Sequence, residues 1–183
     1  MNHSGQVRNS LLAAVPASEL TRLTPHLVSI NLEQGQVIYE PGRSLRHVYF
    51  PTTSVISLLY VSREGTPTEI AIVGNEGVVG VALFMGGETT VDRAVVQSTG
   101  QAFRLDARIL KEEFRRGGSL QRLLLRYTQA LMTQISQTAV CNQHHTIEQQ
   151  LCRWLLLTVD RLPSRETLIN SAWRSSLTRP RAL

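Results

Sequence analysis

Cysteine is nearly missing from this 183-residue chain, which holds only Cys141 and Cys152. Two thiols are too few for a disulfide scaffold, a structural zinc site or a cluster held by four thiolates, so both are expected as free, buried thiols. Long apolar runs are also missing. The stretch from Leu11 to Val15 is shorter than the roughly 7–15 residues of a signal-peptide core, and no run approaches the ~20 residues of a membrane span. A cytoplasmic protein with no membrane partner is expected. There is no internal repeat and no low-complexity tract.

What is present is enough apolar material for a core: 42% hydrophobic against 18% charged residues. The length predicts one domain, or one domain plus a fragment. Charge is uneven. Residues 1–102 hold six Arg and eight acids, a net of −2, whereas residues 103–183 hold thirteen cations and six acids, a net of +7. A basic C-terminal part suits a polyanion partner. Equally, eighteen of the nineteen cations are Arg, which fits a compositional bias of the source genome.

The hydrophobic period changes once, near residue 105. Before it, Pro16 opens a short helix to Leu23, and seven short strands follow over 26–32, 36–40, 47–50, 54–61, 66–73, 93–97 and 101–105. The connections Glu33-Gln34-Gly35, Glu40-Pro41-Gly42, Arg63-Glu64-Gly65, Asn75-Glu76-Gly77 and Ser98-Thr99-Gly100 supply turn chemistry. Pro51 divides two strands because it cannot donate to a central ladder. Regular short strands predict an antiparallel jelly-roll β-barrel.

After residue 105 the pattern is helical, making the fold class α+β. Asp106 caps a helix over 107–116 that Gly117-Gly118 stops. Ser119 is read as the cap of a long helix reaching His145. That helix carries two neighbouring apolar stripes: Leu120, Leu124, Tyr127, Leu131, Thr138 and Cys141, and beside them Leu125, Met132, Ile135 and Ala139. One stripe is expected on the barrel and the other on a second subunit. Leu120, Leu124, Tyr127, Leu131, Ile135 and Thr138 are the candidate dimer-interface residues. Thr146-Ile147-Glu148-Gln149 reads as a capping box that starts a last helix over 147–161, stopped by Pro163. The divisions implied are a sensor at 1–118, a dimerisation helix at 119–145, a further helical start at 146–163 and a mostly disordered tail at 164–183.

This order resembles the sensor and dimerisation part of bacterial Crp/Fnr-type transcriptional regulators, from Leu11 to about Leu162. The resemblance rests on the block Gly35 to Gly42, the block His47-Val48-Tyr49-Phe50-Pro51, and the segment Gly77-Val78-Val79-Gly80-Val81-Ala82-Leu83-Phe84 leading to Arg93. In nucleotide-binding relatives a short helix after a Gly meets a cyclic phosphate, an acidic residue takes the ribose hydroxyl, and an Arg followed by a small hydroxyl residue neutralises the phosphate. The resemblance therefore implies an effector pocket at Gly80, Val81, Ala82, Leu83, Arg93 and Ala94, with Ser136 and Gln137 near where the long helix closes it.

Two positions depart from that pattern. Val81 stands at the acidic position and Ala94 at the hydroxyl position, and neither side chain can make the hydrogen bond required. A site missing a polar partner discriminates against the ligand that expects it. Cyclic AMP binding is thus not expected, and no cofactor is predicted. Arg93 has a second reading, in which it pairs with Asp92 or Glu88 at the surface. His144 and His145 beside Cys141 lack a third ligand at metal spacing, and no nucleophile, base and orienter fall together, so neither a metal site nor a catalytic residue is assigned.

Family members usually end in a winged helix-turn-helix, which needs roughly 20 residues for its two helices and turn. The segment after Pro163 shows no two-helix pattern, so an intact DNA reader is expected to be missing and DNA binding follows from the resemblance alone. The expected function is a regulator's sensor and dimerisation part. It would pair with itself, or with a full-length paralogue that it titrates. The alternative is a free-standing small-molecule sensor without transcriptional output.

Overall fold

The computed structural model describes residues 9–162. Among these residues seven strands form, as the alternation predicts, but they make two sheets rather than a closed barrel. The first sheet contains β1 (Val28–Leu32), β7 (Gly100–Asp106) and β3 (His47–Pro51), in that order. The second contains β2 (Val37–Tyr39), β6 (Asp92–Ser98), β4 (Val55–Val61) and β5 (Pro67–Val73), also in that order. All the pairings are antiparallel. Chain neighbours β1 and β2 pair into different sheets, as do β3 and β4. The sheets face each other across the core instead of wrapping round. Pro51 ends β3, as expected, and the chain then crosses to the second sheet. That corner is tight: a Cβ on Gly100 would overlap the Thr53–Ser54 backbone, so only glycine fits where β6 passes into β7.

β4 is buried from Val55 through Leu59 because both of its faces are covered. Ile56 and Leu58 join Val73, Ala94 and Val96 between the sheets. On the opposite face Val55 lies with Ile72 under Trp154 of α5 (Ile147–Val159).

Five α-helices lie beside the sheets among the described residues. α1 (Ser10–Ala13) has no counterpart in the sequence reading. Its Asn9 cap is fully buried: the side-chain oxygen accepts from the Leu12 amide, while Nδ2 donates to the carbonyls of Pro51 and Gly77, each at 2.9 Å. α2 (Ala17–Leu23) and α3 (Ala107–Arg115) match expectation, and the Asp106 side chain accepts from the Arg108 amide at 2.8 Å. Through Leu12, Leu23 and Leu110 these helices share a core with Leu120 and Leu124 of α4 (Ser119–His144).

The start of α4 differs from expectation. Ser119 is its first helical residue, not its cap. The cap comes from α2, where the Glu19 carboxylate accepts from the Ser119 amide at 3.0 Å and the Leu120 amide at 2.8 Å. Two orphan helix donors are thereby satisfied by an anion, the favourable sign at a helix N-terminus. The same two donors hold the Glu19 carboxyl below the usual carboxylate range. At the other end the expected capping box is present, Thr146 and Gln149 each bonding the other's backbone amide. The readings of Pro163, of the tail and of a missing helix-turn-helix lie outside the described residues.

Candidate functional site

Gly80 has φ of +100°, and a 3₁₀ turn, Val81–Leu83, follows it. A Cβ at Gly80 would also press within 3.3 Å of the His47 carbonyl and Val48. Gly80 and this turn are residues to which the resemblance assigns the effector pocket. Beneath the turn lies a cavity of about 70 Å³. Its floor is Tyr39, Leu58, Ile70 and Asp92 from the second sheet, its rim is Gly80, Val81 and Ala82, and Leu131 and Ile135 of α4 form its roof.

The chemistry of this cavity is mostly apolar, with one polar corner. The Tyr39 hydroxyl donates to Asp92 Oδ2 at 2.7 Å, and the Thr90 hydroxyl donates to the other Asp92 oxygen. Burial and the Asp92 charge push the Tyr39 hydroxyl well above its ordinary range, so it remains a donor at any physiological pH. No lining residue is a cation. The space is also well below the roughly 300 Å³ at which small-molecule pockets begin.

The sequence-derived pocket residues separate into two groups. Gly80, Val81 and Ala82 line the cavity. Leu83 instead packs in the helix-side core, and Ala94 is fully buried between the sheets. Arg93 points elsewhere because successive residues of a strand face opposite ways: Asp92 and Ala94 turn inward, and Arg93 turns out to Glu40, Nε to Oε2 at 2.7 Å. Neither Asp92 nor Glu88 is its partner; Lys111 lies 4.0 Å from Glu88. Ser136 is exposed, its hydroxyl donating to the Met132 carbonyl of its own helix, so Leu131 and Ile135 close the cavity in its place. Tyr39 and Asp92 were the missed residues. Alternation in β6 puts Asp92 on the same face as Ala94, a signal the sequence already held.

The candidate interface residues are redistributed as well. Leu120 and Leu124 are buried among the chain's own α1, α2 and α3, and Leu131 is buried against the sheet-side core. Tyr127 packs against both cores, and burial raises its hydroxyl pKa. Ile135 and Thr138 are partly buried. That stripe is therefore covered within the chain. The outward face of α4 presents Leu125 at 43%, Met132 at 57% and Val140 at 55% exposure. Near the α4–α5 bend His145 Nδ1 lies 3.1 Å from Cys141 Sγ, and no group of three metal-ligating side chains occurs among the described residues.

Residues 29–116 match the cyclic nucleotide-binding domain family. The sensor domain of the transcriptional regulator DNR from Pseudomonas aeruginosa superposes with a TM-score of 0.55 at 16% identity, covering 68% of this chain and 90% of that one. The c-di-GMP-responsive global regulator CLP from Xanthomonas campestris gives 0.61 at 12% identity, with 85% and 76% covered. A protein described as a Crp/Fnr-family transcriptional regulator from Eubacterium rectale gives 0.70 at 8% identity, with 84% and 72% covered. Identities this low establish a shared fold. A search of the curated proteins finds no match.

Proposed function

We propose, from the premise that residues 29–116 form a domain of the cyclic nucleotide-binding family, that this chain is the effector-sensing and dimerisation part of a Crp/Fnr-type transcriptional regulator. The observation that carries the reading is the outward face of α4. Leu125, Gln129, Met132, Ser136 and Ala139 are all exposed and recur at alternating spacings of four and three, the seam of a coiled coil. Leu125, Met132 and Ala139 supply apolar contacts, while Gln129 and Ser136 trade some affinity for register. A second copy of the chain covers this seam, and a full-length paralogue with a matching helix would use the same face.

The domain's role is regulatory rather than catalytic, and its effector is not cyclic AMP. The cavity is small and has no cation, Val81 offers the ribose no acceptor, and Arg93 is committed to Glu40 on the other face. DNA contact rests on the resemblance. Several cations after the β-sheets are paired internally, Arg108 with Asp106, Arg116 with Glu112 and Glu113, and Arg161 with Glu76. They do not form a free basic stripe. No helix among the described residues is long and apolar enough to cross a membrane.

Sedimentation velocity at micromolar concentration tests both parts. The unmodified chain is expected to run as a dimer with or without millimolar cyclic AMP. A monomer would overturn the dimerisation reading, and a change of state on adding cyclic AMP would overturn the effector reading.

A further inference from the structure

A second polar cluster lies outside the effector cavity, on the far face of the second sheet where α5 docks. Glu69 on β5 is only 7% exposed and lines a cavity of about 40 Å³ between β5, α4 and α5. The Ser57 hydroxyl of β4 lies 2.6 Å from Glu69 Oε2 and 3.2 Å from Gln97 Oε1 of β6. Gln97 Nε2 in turn donates to the Thr158 hydroxyl of α5 at 3.2 Å. Val55 and Ile72 from the sheet and Trp154 from α5 form a small apolar dock, against which Leu151, Leu155, Leu157 and Leu162 pack partly buried. The polar cluster lies beside this apolar contact and adds to it.

We propose that Glu69 is a proton-operated latch that sets how firmly α5 docks on the second sheet. A hydroxyl has one hydrogen, so Ser57 can serve Glu69 or Gln97 but not both. With Glu69 ionised, Ser57 is drawn to the carboxylate. With Glu69 protonated, the carboxyl donates to Ser57, Ser57 donates to the Gln97 carbonyl, and Gln97 donates to Thr158. One proton thus adds a second polar route from β5 to α5, through Ser57, Gln97 and Thr158 beside the contact of Trp154 with Glu69, and removes a buried charge from the dock.

The surrounding charges are few. Arg153 of α5 and the Cys141 thiol of α4 line the same cavity, and Arg161, just past the end of α5, acts on Glu69 while pairing with Glu76 at 2.6 Å. The groups facing Glu69 from β4 and β6, Ser57 and Gln97, are uncharged. Burial pushes the Glu69 carboxyl up to about 7, against the opposing pull of hydrogen bonds from Ser57 and Trp154 and of the Arg161 charge. Because the docked form binds the proton more tightly, docking is strongest below the ordinary carboxylate range and the gain is lost as pH rises through about 7. The docking equilibrium should fall about tenfold between roughly pH 6 and pH 8. This latch is independent of the dimerisation reading.

Trp154 reports it directly. In a Trp173→Phe chain, where Trp154 is the only tryptophan, its fluorescence is followed from pH 5 to pH 8.5. A transition centred near 7 is expected, lost in Glu69→Gln, moved upward in Ser57→Ala, which deprives the carboxylate of a donor, and retained in Cys141→Ala and His145→Gln. A flat profile, a transition that survives Glu69→Gln, or one that disappears with Cys141→Ala or His145→Gln would overturn the proposal. Should Glu69→Gln fail to fold, Ser57→Ala decides, and an unmoved midpoint there overturns it.

Discussion

Met132→Glu is expected to turn the dimer into a monomer without unfolding it. Met132 stands at the centre of the exposed seam, seven residues from both Leu125 and Ala139, and pairing that superposes the seam on itself brings it against its own copy. Two carboxylates would then meet in the driest part of the contact, where removal of a central anchor alone typically costs about 2 kcal/mol or more, roughly a thirty-fold weaker association. Sedimentation equilibrium of the variant measures the change in dissociation constant. An unchanged constant would show that the seam is not the interface. Since Met132 is 57% exposed in the isolated chain, its thermal unfolding should stay close to that of the parent once association is accounted for.

One residue away from that seam's first member the opposite result is expected. Leu124 is fully buried in the core that joins α4 to α1, α2 and α3. Leu124→Ala removes buried methyl groups and leaves a cavity, at a cost of about 2–5 kcal/mol. Urea denaturation should show a midpoint lowered in proportion, with little change in slope. The neighbouring Leu125→Ala is expected to leave chain stability within about 0.5 kcal/mol while weakening association. A mild effect at Leu124 and a severe one at Leu125 would mean that the two faces of α4 had been assigned the wrong way round.

That reversal was open on sequence grounds. Two stripes at heptad-like spacing identify two apolar faces of α4, but periodicity does not say which one meets the sheets. Only the tertiary arrangement decides it: Leu120 and Leu124 turn into the core shared with α1, α2 and α3, and Leu131 into the sheet-side core. Signals that act within a few residues were legible: the seven strands, the Asp106 cap and the Thr146–Gln149 capping box all rest on neighbours in the chain. Signals between distant residues were not. The cap on α4 comes from Glu19, 100 residues away, and α1 owes its place to Asn9 reaching the carbonyls of Pro51 and Gly77. Closure into a barrel was likewise beyond reach, because strand alternation is the same in two facing sheets as in one closed one.

The candidate pocket shows the same division. The turn at Gly80 follows from the resemblance, and a Gly of positive φ does open a short 3₁₀ turn there. Arg93 was drawn to the pocket by motif resemblance, whereas its position in β6 sends it outward to Glu40 and leaves Asp92 inside with Tyr39. Where a motif and strand alternation disagree, alternation is the stronger physical constraint, since a one-residue change reverses every side chain.

The claim that most needs a direct test is that the outward seam of α4 joins two copies of this chain. Met132→Cys in a Cys141→Ala, Cys152→Ala background places a single thiol at the middle of the seam, and Leu124→Cys in the same background places one on the inward face. Under mild oxidation a disulfide forms only where two Cα atoms lie within about 7 Å. The account predicts a covalent dimer from Met132→Cys on a non-reducing gel and none from Leu124→Cys. No cross-link at Met132 in a chain that still sediments as a dimer would contradict it.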